Sequence, residues 1–295
     1  MKRLLIPTDF SDISKNSIIY GFKLASSLNF QVTFIHVLEL YKFAAGISES
    51  EIISSILPAE NIKELEASAS ESFRKMLVEL KDDLPENVHY EIKVTSGNLA
   101  AEIITESSVE GTEIIILAAA GNQDLKRRFT QRTVSAIIDE VTCPVIIVPS
   151  DFSFIPAKKV ILATDFHRTD IEMITRFISI FGHFKPQVLI VHVSSKPNDF
   201  DSELKFIGFK KLVQEKIAYS NIDFKMISHK NVVKGILETV NSESADMLLM
   251  LKEHESFFKS LFETNKTEKI THFLKIPVLS YHESEPANVK SVKLV

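Results

Sequence analysis

Apolar and polar residues follow one another along the chain in blocks that predict short buried strands and amphipathic helices. Residues 3–8 form an apolar run, and Ser11 or Asp12 can cap a helix that follows through about residue 28. Residues 31–37 are rich in β-branched and aromatic side chains, which is typical of a buried second strand. The pattern predicts strand, turn, helix and strand.

The same alternation continues to residue 148. The elements that it predicts are a long helix after Pro58, a strand exposed on one side at 88–95, a helix from Leu99, a strand at 114–117, a helix at about 130–140 and a strand at 144–148. This order, β-α-β-α-β-α-β-α-β, requires parallel strands with helices on both faces of the sheet.

The whole unit then occurs a second time. Residues 246–281 align without a gap with residues 113–148, KKVILATDF at 158–166 repeats KRLLIPTDF at 2–10, and QVLIVHV at 187–193 repeats QVTFIHV at 31–37. The further elements predicted in this half are a helix at 200–219, a strand at 222–228, a helix at 232–243, a strand at 246–251, a helix at 264–274 and a strand at 277–281.

The repeat divides the chain into domains at 1–149 and 158–282, joined by a linker at 150–157 and followed by a polar tail at 283–295. A length of 295 residues is consistent with two domains that each bury a core.

Composition excludes several classes of function. A net charge of −5 and an isoelectric point near 6.0 give no reason to expect nucleic acid or an anionic membrane as the main partner. No apolar run is long enough to cross a bilayer and the start of the chain does not resemble a signal peptide, so we expect a cytoplasmic protein. Cys143 is the only cysteine, which excludes intrachain disulfides, and its place beside an apolar strand predicts a buried, inert thiol.

Several short motifs, in their order and spacing, resemble a known family. They are IPTDFS at 6–11, FIHV at 34–37, the loop around Gly121, CPVIIVP at 143–149, LATDF at 162–166, IVHV at 190–193 and KIPVLS at 275–280. Together they resemble a tandem universal stress protein. The resemblance implies two Rossmann-like domains of the adenine nucleotide α-hydrolase type, each with a five-stranded parallel sheet and helices on both faces. It also implies a pseudo-dimer in which the fifth strands pair within one chain, and a homodimer of whole chains is plausible.

Many members of this family bind ATP through a loop of the form Gly-x2-Gly-x9-Gly-Ser/Thr and an aspartate after the first strand. In the first half the resemblance places the candidate nucleotide residues at Pro7, Thr8, Asp9, Val37, Ala118, Gly121, Gln131, Arg132 and Thr133. One glycine of the three remains, and such glycines are needed where the backbone takes positive φ or must approach a phosphate closely. We therefore predict a degenerate site that requires no cofactor but could admit ATP or AMP.

The second half keeps the aspartate as Asp165 but places Leu251, His254, Thr264 and Asn265 at the loop positions. We predict no nucleotide site there.

The candidate residues also have structural interpretations. Asp9 and Asp165 could bind a ligand at the ends of their strands or could brace the following turn, and the second interpretation is favoured for Asp165. Arg132, close to Lys126, Arg127 and Arg128, could supply charge for an anion or belong to a solvated basic face.

The matching strand-end histidines, His36 and His192, are predicted to be buried and hydrogen-bonded rather than catalytic. The histidine spacing does not indicate a metal site.

The predicted function is binding or regulation in a stress response, through an unidentified protein partner and without turnover. The alternative is an AMP- or ATP-binding switch, or a slow ATPase, that uses the first half. An adenylate-transferring enzyme would need a His-x-Gly-His or Ser-Gly-Gly-x-Asp-Ser loop, and the sequence contains neither.

Overall fold

The structure is a computed structural model, which describes residues 1–39, 59–119, 131–196, 200–251 and 275–281. Only the backbone is described at residues 59, 60, 119 and 131. The helix predicted at 264–274 and the tail at 283–295 lie outside these ranges.

The described strands form a single ten-stranded sheet in the order β3-β2-β1-β4-β5-β10-β9-β6-β7-β8. Their bounds are β1 Arg3–Pro7, β2 Gln31–Leu38, β3 Tyr90–Ser96, β4 Thr112–Ala119, β5 Val145–Pro149, β6 Lys159–Ala163, β7 Gln187–Ser194, β8 Ile222–Ser228, β9 Met247–Leu251 and β10 Val278–Tyr281. The described helices are α1 Asp12–Leu28, α2 Ala59–Leu80, α3 Leu99–Ser107, α4 Gln131–Glu140, α5 Arg168–Phe181, α6 Phe200–Lys216 and α7 Val232–Ser242. Within the described ranges the predicted alternation of strand and helix is confirmed.

The fifth strands pair with each other, as the resemblance implies. β10 runs antiparallel to β5, with Ile146 opposite Leu279, whereas every other neighbouring pair in the sheet is parallel. The sheet therefore continues without a break from the first half into the second, and β3 and β8 form its two edges.

Both faces of the sheet are covered. Successive residues of a strand point to opposite faces, so Leu4 and Ile6 belong to one hydrophobic cluster and Leu5 to the other. Continuous apolar runs such as Val145–Pro149, which is buried at every position, are the expected sequence for parallel strands between two helix layers.

The segment predicted as a linker packs against α1. The rings of Phe152 and Phe154 lie 6.3 and 5.2 Å from the ring of Tyr20, and Asn16 Nδ2 donates to the carbonyl oxygens of Pro149 and Phe152. The aromatic residues of the segment explain this contact, because they bury apolar surface that a flexible linker would leave in water.

The prediction for Cys143 is confirmed. The residue is 5% exposed, and burial raises the pKa of its thiol to about 12, which keeps it protonated and unreactive at neutral pH. No helix within the described ranges is both long enough and apolar enough to span a bilayer.

Each half has a carboxylate at the end of the sheet opposite the carboxyl ends of its strands. In the first half Glu106 accepts from Arg3 at 2.9 Å and also from Lys93. In the second half Glu243 accepts from Lys159 and Lys225, each at 2.6 Å, and these two contacts lower the pKa of Glu243 to about 2. Each carboxylate thus connects the first and third strands of its half to the helix or turn that carries the carboxylate.

Candidate functional site

The turn after β1 is built by Thr8, Phe10 and His36. His36, which is 6% exposed, donates from Nδ1 to the carbonyl oxygen of Thr8 at 2.8 Å, since a carbonyl can only accept. Thr8 Oγ1 accepts from the backbone N–H of Phe10 at 3.2 Å. Phe10 takes a left-handed conformation with φ of 63°, and its ring stacks on His36 with centroids 4.3 Å apart.

The second half builds the same turn. His192 donates to the carbonyl of Thr164 at 2.9 Å, Thr164 Oγ1 accepts from Phe166 N–H at 2.9 Å, and Phe166 has φ of 67° with its ring 4.2 Å from His192. The prediction that both histidines are buried and hydrogen-bonded is confirmed. Each histidine fixes the turn that follows the first strand of its half.

The two turns differ in the group that holds the threonine hydroxyl. Thr8 donates to the hydroxyl of Ser14 at 3.1 Å, whereas Thr164 donates to the carboxylate of Asp170 at 2.6 Å. Asp170 is fully buried, and its Oδ2 also accepts from the backbone N–H of His167 at 3.0 Å. Its Oδ1 has no hydrogen-bond partner among the described residues, and burial raises the pKa of Asp170 to about 6.

The matching aspartates Asp9 and Asp165 have different roles. Asp9 Oδ1 accepts from the backbone N–H of Ser11 at 3.1 Å and from its hydroxyl at 2.6 Å, so Asp9 braces the turn. Ser11 also caps α1 by accepting from Ser14 N–H, which confirms one of the two predicted caps. The bracing role favoured for Asp165 is wrong, because Asp170 supplies the acceptor at that turn.

The side chain of Asp165 is 59% exposed and accepts no hydrogen bond from the described residues. The structure places its carboxylate 3.9 Å from Nδ1 of His192, beyond hydrogen-bond distance.

The candidates on or just after strands of the first half lie at the carboxyl ends of three neighbouring strands. Pro7, Thr8 and Asp9 are at the carboxyl end of β1, while Val37 and Ala118 are near the ends of the adjacent strands β2 and β4. Val37 is 1% exposed and Ala118 is 5% exposed, so their side chains belong largely to the core.

The remaining candidates are placed less completely. Gly121 lies outside the described residues, as do Lys126, Arg127 and Arg128. Gln131 begins α4, with Arg132 exposed beside it and Thr133 partly buried in the first turn. No group of three or more histidine, cysteine, aspartate or glutamate side chains within the described ranges could hold a metal ion.

The second half contains a cleft of about 250 Å³ that the sequence did not predict. It lies at the carboxyl ends of β6, β7 and β9, beside the start of α7. The described residues that line it are Ala163, Thr164, Asp165, Val191, His192, Val193, Val232, Val233, Ile236 and Met250. A search for phosphate-binding glycines does not reveal this cleft. Most of its described lining residues are aliphatic, and they come from four separate elements.

Stability is expected to fall as pH rises from about 4 to 7 because of Asp170. The folded state keeps the proton up to a pKa of about 6, whereas the unfolded state releases it near 3.8, so deprotonation penalises only the folded state. Raising this pKa from 3.8 to about 6 corresponds to a loss of about 3 kcal/mol in the free energy of unfolding, and the whole loss is reached above pH 6. Urea unfolding at several pH values measures this change.

The Asp170→Asn variant should lose this part of the pH dependence, because its amide does not titrate and its oxygen can still accept from Thr164 and His167. Equal pH dependence of unfolding in the two proteins would show that Asp170 titrates normally.

Comparison with known proteins places these features in a family. The model of the universal stress protein family matches residues 1–149. A universal stress protein of Methanocaldococcus jannaschii is 24% identical over 152 residues, which cover 50% of this chain and 81% of that protein.

Solved structures extend the likeness to the second half. A universal stress protein from Archaeoglobus fulgidus has a TM-score of 0.62 and 17% identity, with 96% of this chain and 97% of that chain covered. A protein from Pseudomonas aeruginosa has a TM-score of 0.56 and 14% identity, with coverage of 96% and 93%. At these identities the two likenesses show the fold, and they show it over nearly the whole chain.

Proposed function

The chain belongs to the universal stress protein family, and on that premise we propose that it is a stress-linked binding and regulatory protein that turns over no substrate. The observation that carries this proposal is the commitment of Asp9. Its Oδ1 already accepts two hydrogen bonds from Ser11, so the carboxylate serves its own turn. With a single glycine left in the loop sequence, the first half keeps a degenerate nucleotide site that the protein does not require.

The proposed organisation follows the repeat. Residues 1–149 and 158–282 form two universal stress protein domains, 150–157 connect them, and 283–295 form a tail. We place the protein in the cytoplasm, where it acts through a protein partner and not through nucleic acid or a membrane. The net charge of −5 supports this choice of partner.

The alternative function is an AMP- or ATP-binding switch or a slow ATPase in the first half. It is favoured by the position of Asp9 at the carboxyl end of β1, between β2 and β4. The chain leaves β1 toward β2 and leaves the neighbouring β4 toward β5, in opposite directions along the sheet, and α/β proteins commonly bind ligands at such a switch point.

Calorimetric titration with ATP, ADP and AMP separates these functions. We expect no saturable heat at millimolar concentration. That result would mean a dissociation constant above about 1 mM, which is less than about 4 kcal/mol of binding free energy. Saturable binding that Asp9→Ala abolishes and Asp165→Ala leaves intact would instead establish the switch. An assay of phosphate release in the same samples tests for the slow ATPase.

A further inference from the structure

We propose that the cleft in the second half binds a small apolar amine, with its apolar body between α7 and the strand ends and its protonated nitrogen against Asp165. This site goes beyond the proposed function, because it lies in the half where no nucleotide site is predicted. It also uses chemistry other than phosphate recognition.

The cleft lies at the carboxyl ends of parallel strands, where an open α/β sheet forms a crevice. β6 pairs with β7 on one side and with β9 on the other, so the connections leave β6 and β9 in opposite directions around the sheet. Thr164 follows the end of β6 and Met250 lies near the end of β9, and both residues line the cleft.

The hydrogen-bonding capacity of the lining decides which polar groups remain for a ligand. Thr164 uses its hydroxyl to donate to Asp170 and to accept from Phe166 N–H, and its carbonyl accepts from His192. The Nδ1 atom of His192 is thereby occupied as a donor, and in this tautomer Nε2 is an acceptor. Asp165 is the lining residue with a largely exposed carboxylate that accepts no hydrogen bond from the described residues.

Both remaining side-chain groups, the Asp165 carboxylate and His192 Nε2, are acceptors, so a ligand that pairs with them must donate. None of the described residues that line the cleft is a lysine or an arginine. The negative charge of Asp165 therefore attracts a cation and repels a carboxylate or phosphate.

The rest of the lining selects for an apolar body. Seven of the ten described residues that line the cleft are aliphatic or methionine: Ala163, Val191, Val193, Val232, Val233, Ile236 and Met250. Small-molecule sites usually have volumes of about 300–1,000 Å³, and the volume of 250 Å³ is just below that range. A single ring with a short aminoalkyl chain fits this space better than a larger ligand.

The first half provides a matched control for the role of the carboxylate. Asp9 occupies the position equivalent to Asp165, but its Oδ1 accepts from both the N–H and the hydroxyl of Ser11. Removing the charge of Asp9 should therefore leave amine binding in the second half unchanged.

The test compares two probes of nearly equal size and opposite charge, phenethylamine and 3-phenylpropanoate. Binding to the full chain is measured by saturation-transfer NMR and by calorimetry up to millimolar concentration. Phenethylamine should bind at least about tenfold more tightly than 3-phenylpropanoate, because the Asp165 carboxylate attracts the ammonium group and repels the carboxylate of the second probe. ATP serves as a third ligand, so that nucleotide binding in the first half is recognised separately.

Three variants locate the binding. Asp165→Asn should weaken phenethylamine binding about fivefold, which is the effect of losing a partly exposed ion pair, whereas Asp9→Asn should not change it. Val232→Trp places a bulky ring at a position that is 41% exposed in the cleft lining and should abolish binding. Thermal unfolding of each variant shows whether the fold is retained.

Saturable phenethylamine binding that responds to Asp165→Asn and Val232→Trp, but not to Asp9→Asn, would establish the site. The proposal is overturned if phenethylamine gives no saturable binding, if 3-phenylpropanoate binds equally well, or if binding survives Val232→Trp in a folded protein. A failure of ATP to bind would bear on the first half alone.

Discussion

Replacing Phe34 by alanine is expected to lower the free energy of unfolding by about 4 kcal/mol, the largest single-residue effect that we predict. Phe34 is 0% exposed, and its ring lies 4.6 Å from Phe73, 5.4 Å from Phe22 and 6.2 Å from Tyr90. Truncation removes apolar surface and leaves a cavity among three aromatic rings that belong to three different elements, so the site cannot collapse easily.

Urea unfolding followed by far-ultraviolet circular dichroism measures this effect, since the chain contains no tryptophan for fluorescence. Val78→Ala is the control, because Val78 is 68% exposed on α2 and its truncation should change stability by less than about 0.5 kcal/mol. Should the halves unfold in separate transitions, the loss for Phe34→Ala must occur in the transition of the first half. A loss below about 1 kcal/mol would contradict the packing described for Phe34.

Glu106→Ala is expected to cost about 3 kcal/mol, because it leaves a buried guanidinium without its carboxylate. The side chain of Glu106 is 4% exposed and that of Arg3 is 11% exposed, so water cannot replace the lost partner fully. Arg3 keeps contacts with Thr33, Thr112 and the exposed carboxylate of Glu91, which places the expected cost at the low end for a buried pair.

The second half contains the matched control for this substitution. Glu243 also accepts from two cations, but its side chain is 23% exposed and those of Lys159 and Lys225 are 29% and 42% exposed. Glu243→Ala should therefore cost about 1 kcal/mol, measured in the same unfolding experiment. Equal losses for the two variants would mean that burial does not determine the contribution of these carboxylates.

Much of the fold could be predicted because its signals are local. Apolar runs of strand length, the cap at Ser11 and the repeat of QVTFIHV as QVLIVHV each depend on residues close together in the chain. Helical periodicity predicted α2, whose buried face includes Phe73 and Met76. Parallel pairing then follows from the alternation of strand and helix.

The details of the site depend on contacts that no local pattern reveals. Thr-Asp-Phe is identical in both halves, yet Asp9 turns toward Ser11 while Asp165 remains exposed. The difference arises because Ser11 is replaced by His167, whose backbone N–H is held by Asp170. A sequence comparison can align these positions but cannot show which carboxylate reaches which donor.

The cleft is the clearest example of this limit. Its lining comes from β6, β7, β9 and α7, whose positions are separated by up to 87 residues between Ala163 and Met250. In the sequence, Val191 and Val193 of β7 look like ordinary core residues, since aliphatic side chains are typical of buried strands. Their common exposure to an open volume follows only from the way the strand ends and α7 meet.

The antiparallel contact of β5 with β10 has a consequence for how the protein behaves on dilution and how its halves can differ. Two separate chains joined along such strands would dissociate at low concentration and would carry identical residues at both sites. Covalent connection makes the encounter intramolecular, so its strength no longer depends on protein concentration. It also allows each half to keep its own chemistry, as the neutral Ser14 on one side and the buried carboxylate of Asp170 on the other illustrate.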